Sequence, residues 1–172
     1  MRDGDIHLPY GYDPIWHSPS QIPMADRTYD LALIGLQYPQ RIQLVNIMRS
    51  HGKNVFFELG QVYDEAREIY HQTRIGFNWS SLKDTTARCF EVMAMGNLPL
   101  LNRVPDLVSM FRDGEEYVGF DSLDEAIDNA LYFLENPEEA ERISERAKKA
   151  VAPHTWDARM TRVLQETGLL NG

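Results

Sequence analysis

A chain of 172 residues with 43% apolar and 25% charged side chains suits one globular domain with a continuous hydrophobic core. Its formal net charge of -9 argues against a general nucleic-acid or anionic-membrane surface and leaves room only for a locally positive pocket. A single cysteine, Cys89, excludes a disulfide framework and a cysteine-based metal site. No signal peptide is evident, and no apolar run approaches the roughly 20 residues a spanning helix needs. The expectation is a soluble, cytoplasmic protein in a reducing compartment.

Residues 1–28 differ from the rest. Pro9, Pro14, Pro19 and Pro23 punctuate them, with Tyr10, Tyr12 and Trp16 interleaved. This reads as an extended lead-in tied down by its aromatics, ahead of a domain over residues 29–172. Asp30-Leu-Ala-Leu-Ile-Gly35 is a short apolar run ending in glycine, which predicts a buried parallel strand. Pro39 suits a first helical position, and Ile42, Leu44, Val45, Ile47 and Met48 give that helix an apolar face up to His51-Gly52. Val55-Phe-Phe57 is a second strand with Gly60 in the turn after it, and Asp64 to His71 a charged amphipathic helix.

The run from Arg74 to Leu101 organises the chain. Ile75, Phe77 and Trp79 suit a third strand, and Ser80 to Asp84 are polar turn-formers in which Ser81-x-x-Asp84 resembles a capping box. Thr86 to Met95 predicts a largely buried helix with Gly96 as its left-handed stop, and Asn97 to Leu101 a fourth strand with Pro99 inside it. Arg88 and Glu91 stand three apart on that helix and share a face. A charge on a buried helix needs a partner or a ligand. Two readings stay open here: an intrahelical ion pair at the rim of the core, or a ligand site at the helix N-terminus, where free amides and the dipole attract phosphate.

Further on, Pro105 opens a short helix that stops at Asp113-Gly114, and Tyr117 to Phe120 form a fifth strand. Ser122-Leu-Asp-Glu125 is a capping box for a helix to about Glu135. Asn136-Pro137 starts a charged helix with a solvated Glu and Arg face, and His154 caps a last helix over about 155–167. Short apolar strands alternating with helices predict an α/β, Rossmann-like parallel sheet with helices on both faces, here in the order 3-2-1-4-5. Ligands of such sheets lie at the strand C-termini, so the loops to inspect are 35–40, 58–62, 80–86 and 102–105. Neither Gly-x-Gly-x-x-Gly nor a Gly-x-x-x-x-Gly-Lys loop is present, which lowers dinucleotide-dependent oxidoreductase and triphosphatase readings.

Several segments, in order and spacing, carry a resemblance that covers nearly the whole chain. Leu8-Pro-Tyr-Gly-Tyr-Asp13, Asp30-Leu-Ala-Leu-Ile-Gly35 with Arg41, Gly60-Gln-Val62 followed by Ile69-Tyr70, and His154-Thr-Trp156 each match weakly. Arg88-Cys-Phe-Glu-Val-Met-Ala-Met-Gly96 matches the most specific run, R-x-F-E-x-M-A-x-G. Together they resemble the C-terminal, donor-binding half of a GT-B glycosyltransferase, of the group 1 and spore-maturation-protein-like kind. The resemblance implies a donor that is a UDP-, GDP- or ADP-sugar and no separate cofactor. It implies that Glu91 holds the ribose hydroxyls, since a carboxylate can accept from two neighbouring hydroxyls. Glu91 and Arg88 are the implied catalytic positions. Arg88 or Arg41 would face the diphosphate with the helix amides near Thr85 and Thr86. Gly60, Gln61 and Val62 would line the base pocket, and Gly35, Ser80 and Lys83 complete the implied donor-binding set.

No metal is implied, because protein groups in this fold neutralise the leaving group. Asp3-Gly4-Asp5 matches the Asp-x-Asp metal pattern of some other sugar-transfer enzymes only weakly, and no histidines pair at metal-ligand spacing. Many retaining relatives carry a second glutamate eight positions before the Glu91 equivalent; Lys83 stands there, with Asp84 beside it. The implied partners are the nucleotide-sugar donor and an N-terminal acceptor domain, with no nucleic acid and no membrane span. Lys83 and the missing half also feed a second hypothesis, a glycosyltransferase-like domain that only binds or scaffolds. An unrelated flavodoxin-like or receiver-like domain is the third. Ser80-Ser81 stands where a receiver would place its phosphorylatable aspartate at the end of a central strand, which ranks that reading low.

Overall fold

The computed structural model describes residues 6–170, so Asp3-Gly4-Asp5 lies outside the described residues. Five strands, β1 (Tyr29–Ile34), β2 (Val55–Glu58), β3 (Thr73–Asn78), β4 (Leu98–Asn102) and β5 (Val118–Phe120), form one sheet. Every neighbouring pair is parallel. Among the described residues seven α-helices intervene or follow: α1 (Pro39–Ser50), α2 (Tyr63–His71), α3 (Ala87–Ala94), α4 (Pro105–Met110), α5 (Leu123–Glu135), α6 (Pro137–Val151) and α7 (Trp156–Glu166). Among the described residues, no helix is long and apolar enough to cross a membrane.

The strand order is β2-β1-β3-β4-β5, not 3-2-1-4-5. β3 lies inside the sheet, with Leu31 opposite Ile75 on one side and Phe77 opposite Leu100 on the other. The physical reason is burial. β3 hides five of its six residues, whereas β2 alternates and ends on an exposed Glu58, as an edge strand must. The order therefore reverses between β1 and β3, and the crevice of the fold opens beside their C-terminal ends.

Alternation along the strands builds two apolar layers. Leu31, Leu33, Ile75, Phe77 and Phe120 pack on one face against Leu44, Met48 and Ile127 of α1 and α5. Ala32 and Ile34 face the other way, toward Tyr70, Phe90, Met93 and Leu107 of α2, α3 and α4. α6 serves both layers, through Ala140 and Ile143 on one side and Ala147 and Val151 on the other. Pro99 sits in β4 opposite Gly76 without breaking the sheet, because pairing with β5 begins only at Leu100, opposite Val118.

α3 packs directly onto β3. A Cβ added at Gly76 would lie 2.7 Å from the Val92 Cβ and 3.1 Å from that of Asn97, so only glycine permits the approach. The helix ends in a Schellman motif: Gly96, at φ 77°, donates to the Met93 carbonyl, and Asn97 donates to that of Val92. The Asn97 amide then donates to the Tyr70 and Thr73 carbonyls, at 2.8 and 2.6 Å, joining this corner to the α2–β3 junction.

The turn before this helix differs from expectation. Ser81 is exposed and makes no capping box; the hydroxyl of Ser80 instead accepts from the amides of Leu82 and Asp84 and bonds the Asp84 carboxylate. Lys83 adopts a left-handed φ of 56°, which closes this turn on itself, and the helix follows from Ala87 with Thr86 as N-cap, as expected to within a residue. At the last helix the cap is Thr155, which accepts from the Ala158 amide; His154 packs between Phe90 and Phe111 instead. Burial, with Arg159 beside it, lowers the His154 pKa and favours the neutral ring.

Residues of the lead-in are fastened to the body. Tyr12 is buried and pairs its backbone with His154 and Trp156, and a Cβ at Gly11 would lie 2.9 Å from the His154 carbonyl oxygen. Ser20 donates from its amide to the Met95 carbonyl, and Arg27 donates to those of Thr73 and Gly96. The same stretch brings Trp16 against Tyr63 and the Ser18 carbonyl to His71 on α2, and His17 toward Glu91 on α3.

Candidate functional site

An open cleft of about 290 Å³ lies between α2 and α3, walled on its third side by the lead-in. Gln61 and Val62 border it from the loop after β2; Tyr63, Ala66 and Arg67 follow on α2; Arg88 and Glu91 come from α3, and Met95 from its C-cap. Trp16 and His17 close it from the lead-in. The spacing of Arg88, Glu91 and Met95 puts all three on one stripe of α3, which follows from 3.6 residues per turn.

Within the cleft, Arg88 Nη1 is 2.9 Å from Glu91 Oε2, and the guanidinium lies over the Tyr70 ring, 5.0 Å from its centroid. The other carboxylate oxygen, Oε1, is 3.6 Å from His17 Nε2 and accepts no hydrogen bond from a described residue. Both side chains are about one-fifth exposed, enough to meet a ligand while their charges are only partly screened. Burial works against the Arg88 charge, but the Tyr70 oxygen and the Glu91 carboxylate outweigh it and hold the guanidinium pKa above its ordinary value. The floor is firm: Tyr70 is fully buried and its hydroxyl accepts from the Ile34 amide.

Four expected site residues thus share one cleft: Gln61, Val62, Arg88 and Glu91. The others lie elsewhere. Gly60 is exposed at φ 105°, shaping the turn that delivers Gln61. Arg41 is buried at the switch point, where its guanidinium donates to the Leu36 carbonyl at 3.0 Å and twice to that of Trp79, and stacks on Tyr38. It ties the loop after β1 to the end of β3. Gly35 lies beside it, since a Cβ there would stand 3.3 Å from the Arg41 Nη1. Ser80 is buried in its turn, and its amide donates to the Asn102 side chain. Lys83 is exposed.

Thr85 and Thr86 stand at the start of α3. The Thr85 hydroxyl is buried and has no hydrogen-bond partner among the described residues. Cys89, one turn on, is buried; desolvation, only partly offset by hydrogen bonds from Thr86 and Asn78, pushes its thiol up to about 11, so it is no nucleophile at neutral pH. Among the described residues, no three His, Cys, Asp or Glu side chains cluster to hold a metal.

Trp16, His17, Tyr63 and Arg67 complete the cleft without having been singled out from sequence as site residues. The aromatic content of the lead-in was the available signal. What it faces is a tertiary fact.

With this geometry in place, solved structures define the class. Sucrose-phosphate synthase from Thermosynechococcus elongatus aligns at a TM-score of 0.67, with 15% identity over 94% of this chain and 51% of that one. The C-terminal domain of a glycosyl transferase group 1 family protein (LpcC) from Francisella tularensis aligns at 0.63, with 10% identity over 83% of this chain and 97% of that domain. An alpha-glucosyltransferase solved with UDP-glucose and DNA containing an abasic site aligns at 0.69, with 10% identity over 94% and 58%. The fold is therefore a Rossmann-like half of the GT-B architecture, matching its C-terminal half. The chain spans about half the length of the sucrose-phosphate synthase it matches. A model of the glycosyl transferase-like family matches residues 21–165, and the chain belongs to that family. No curated protein matches it by sequence.

Proposed function

We infer that this chain binds the nucleoside diphosphate portion of a nucleotide-sugar donor in the α2–α3 cleft, as the donor half of a metal-independent glycosyltransferase. The observation that carries this reading is the state of Glu91. One oxygen is engaged by Arg88; the other, with His17 Nε2 at 3.6 Å, accepts no hydrogen bond from a described residue, and Glu91 lines the cleft. Ribose hydroxyls are the donors such an acceptor suits, and they would add charge-assisted bonds without displacing Arg88. The base would lie along Gln61 and Val62. The diphosphate would run toward the start of α3, where the first amides have no intrahelical acceptors and the Thr85 hydroxyl has no partner.

In transfer, the bond between the sugar anomeric carbon and the diphosphate breaks and a bond to the acceptor oxygen forms. The electron pair leaves with the diphosphate, and its growing charge would be met by the α3 amides and Arg88. The acceptor proton would pass to a base on a second domain, because this chain supplies one wall of the cleft. A binding-only role is the second reading. It is favoured by Lys83, which is exposed and stands where many retaining relatives hold a glutamate.

Calorimetric titration with UDP, GDP and ADP tests the proposal. At least one should bind saturably, with affinity unchanged by a metal chelator. If none binds at roughly millimolar concentration, a level equivalent to about 4 kcal/mol, the reading is wrong.

A further inference from the structure

We propose that Trp16, in partnership with Tyr63, is the stacking platform that holds the nucleobase of the bound donor. The inference rests on the donor-nucleotide reading above and assigns to the lead-in a specificity role within it.

Three observations lead there. Trp16 and Tyr63 are large aromatics at the cleft mouth, 39% and 70% exposed, so each leaves apolar ring surface in water. Their centroids are 5.3 Å apart at an interplanar angle of 53°, so the rings support each other, and a flat guest would stack on an outward face of the pair rather than between them. The second observation is rigidity. Asp13 Oδ1 accepts from the amides of Ile15 and Trp16, and the Asp13 carbonyl accepts from the His17 amide at 2.9 Å. With Tyr12 buried and paired to residues 154 and 156, the turn carrying Trp16 is fixed to the body. Tyr63 is held at φ 49°, a conformation an L-residue seldom adopts.

The third observation is position. His17, next in the chain to Trp16, reaches to 3.6 Å from Glu91 Oε1. A base is bonded directly to its ribose, so a ribose held by Glu91 brings the base to the neighbouring part of the wall. That part is Trp16 on one side and the 61–63 loop on the other. Every base has a π face, so stacking here gives affinity for nucleotides in general. Gln61, whose Nε2 donates to Glu58 while its Oε1 is buried without a partner among the described residues, offers that oxygen to distinguish among them.

The test is titration of wild type, Trp16→Leu and Trp16→Phe with UDP, GDP and ADP, read by calorimetry and by tryptophan fluorescence, with a melting curve for each protein. Loss of a base–aromatic stack predicts that Trp16→Leu binds about 5- to 100-fold more weakly. Trp16→Phe should keep most of the affinity, since a ring remains. Nucleotide should quench wild-type fluorescence, and Trp16→Phe should lose most of that quench while still binding. Should Trp16→Leu fail to fold, the phenylalanine variant and the quench still decide. Unchanged affinity in Trp16→Leu, equal losses in both variants, or an unquenched wild type that binds would overturn the stacking role alone. Failure of the wild type to bind any of the three would overturn the donor-nucleotide reading as well.

Discussion

The two oxygens of Glu91 stand in different surroundings. Oε2 pairs with Arg88, while Oε1 has His17 Nε2 at 3.6 Å, accepts no hydrogen bond from a described residue, and is the acceptor we propose for a ligand. The sequence left ion pair and ligand site as alternatives; the geometry makes them compatible, because each uses a different oxygen. Glu91→Gln separates them. A glutamine can still accept from Arg88, so the fold should survive with a loss of about 1 kcal/mol or less, a drop of about 2–4 °C in melting temperature. It no longer offers a charged acceptor to ribose, and a charge-assisted hydrogen bond is worth about 1.5–3 kcal/mol, so nucleotide affinity should fall by about ten-fold or more. Calorimetry beside a melting curve reads both. Unchanged affinity with a clearly lower melting temperature would leave Glu91 a structural residue. Arg41 is the opposite case. Its type and position fit a diphosphate contact, yet its guanidinium is buried against the carbonyls of Leu36 and Trp79, where it joins two loops. A residue type tells what chemistry is available; its neighbours decide what is left over for a ligand.

At the scale of elements, the site depends on how closely α3 lies on β3. Gly76 has no Cβ where Val92 sits, and this brings Arg88 and Glu91 to the cleft at a fixed height. Gly76→Ala should therefore destabilise by about 1–3 kcal/mol, the usual cost of overpacking a tight core, read as a lower urea midpoint at unchanged slope. It should also weaken nucleotide binding although it touches no ligand, because α3 must move outward. The strands and helices themselves were legible from the period of their apolar residues and from Pro39, Gly96, Ser122 and Pro137 at their ends. Strand order was not. Placing β3 between β1 and β4 depends on which strand can be buried on both faces, and that is a property of the assembled sheet rather than of any one segment. The start of α3 was read to within a residue, but the turn before it was not: Ser80 and Ser81 are equally good turn-formers by type, and the left-handed Lys83 decides between them.

At the scale of the whole molecule, the cleft has walls from three distant stretches of chain. Those on α3 and after β2 could be read from sequence, because their motifs are local. The wall from the lead-in could not, since Trp16 and Glu91 are 75 positions apart and meet only through the anchoring of Tyr12 and Ser20. The same consideration of walls bears on activity. The cleft is open, and the chain covers 51% of the length of a sucrose-phosphate synthase of the same fold. Transfer needs the acceptor hydroxyl and a base held against the donor, and such positioning accounts for about 7–11 kcal/mol of many two-substrate rates. The 172-residue chain should accordingly bind nucleoside diphosphate yet transfer sugar to an external acceptor poorly or not at all. Adding a second domain that supplies the facing wall should restore transfer without tightening nucleotide binding, because that wall acts on the acceptor. A radiolabelled-sugar transfer assay beside calorimetry on the same preparation distinguishes the outcomes. Robust transfer by the chain alone would mean that its own residues hold the acceptor and take its proton, and the second wall would then be unnecessary.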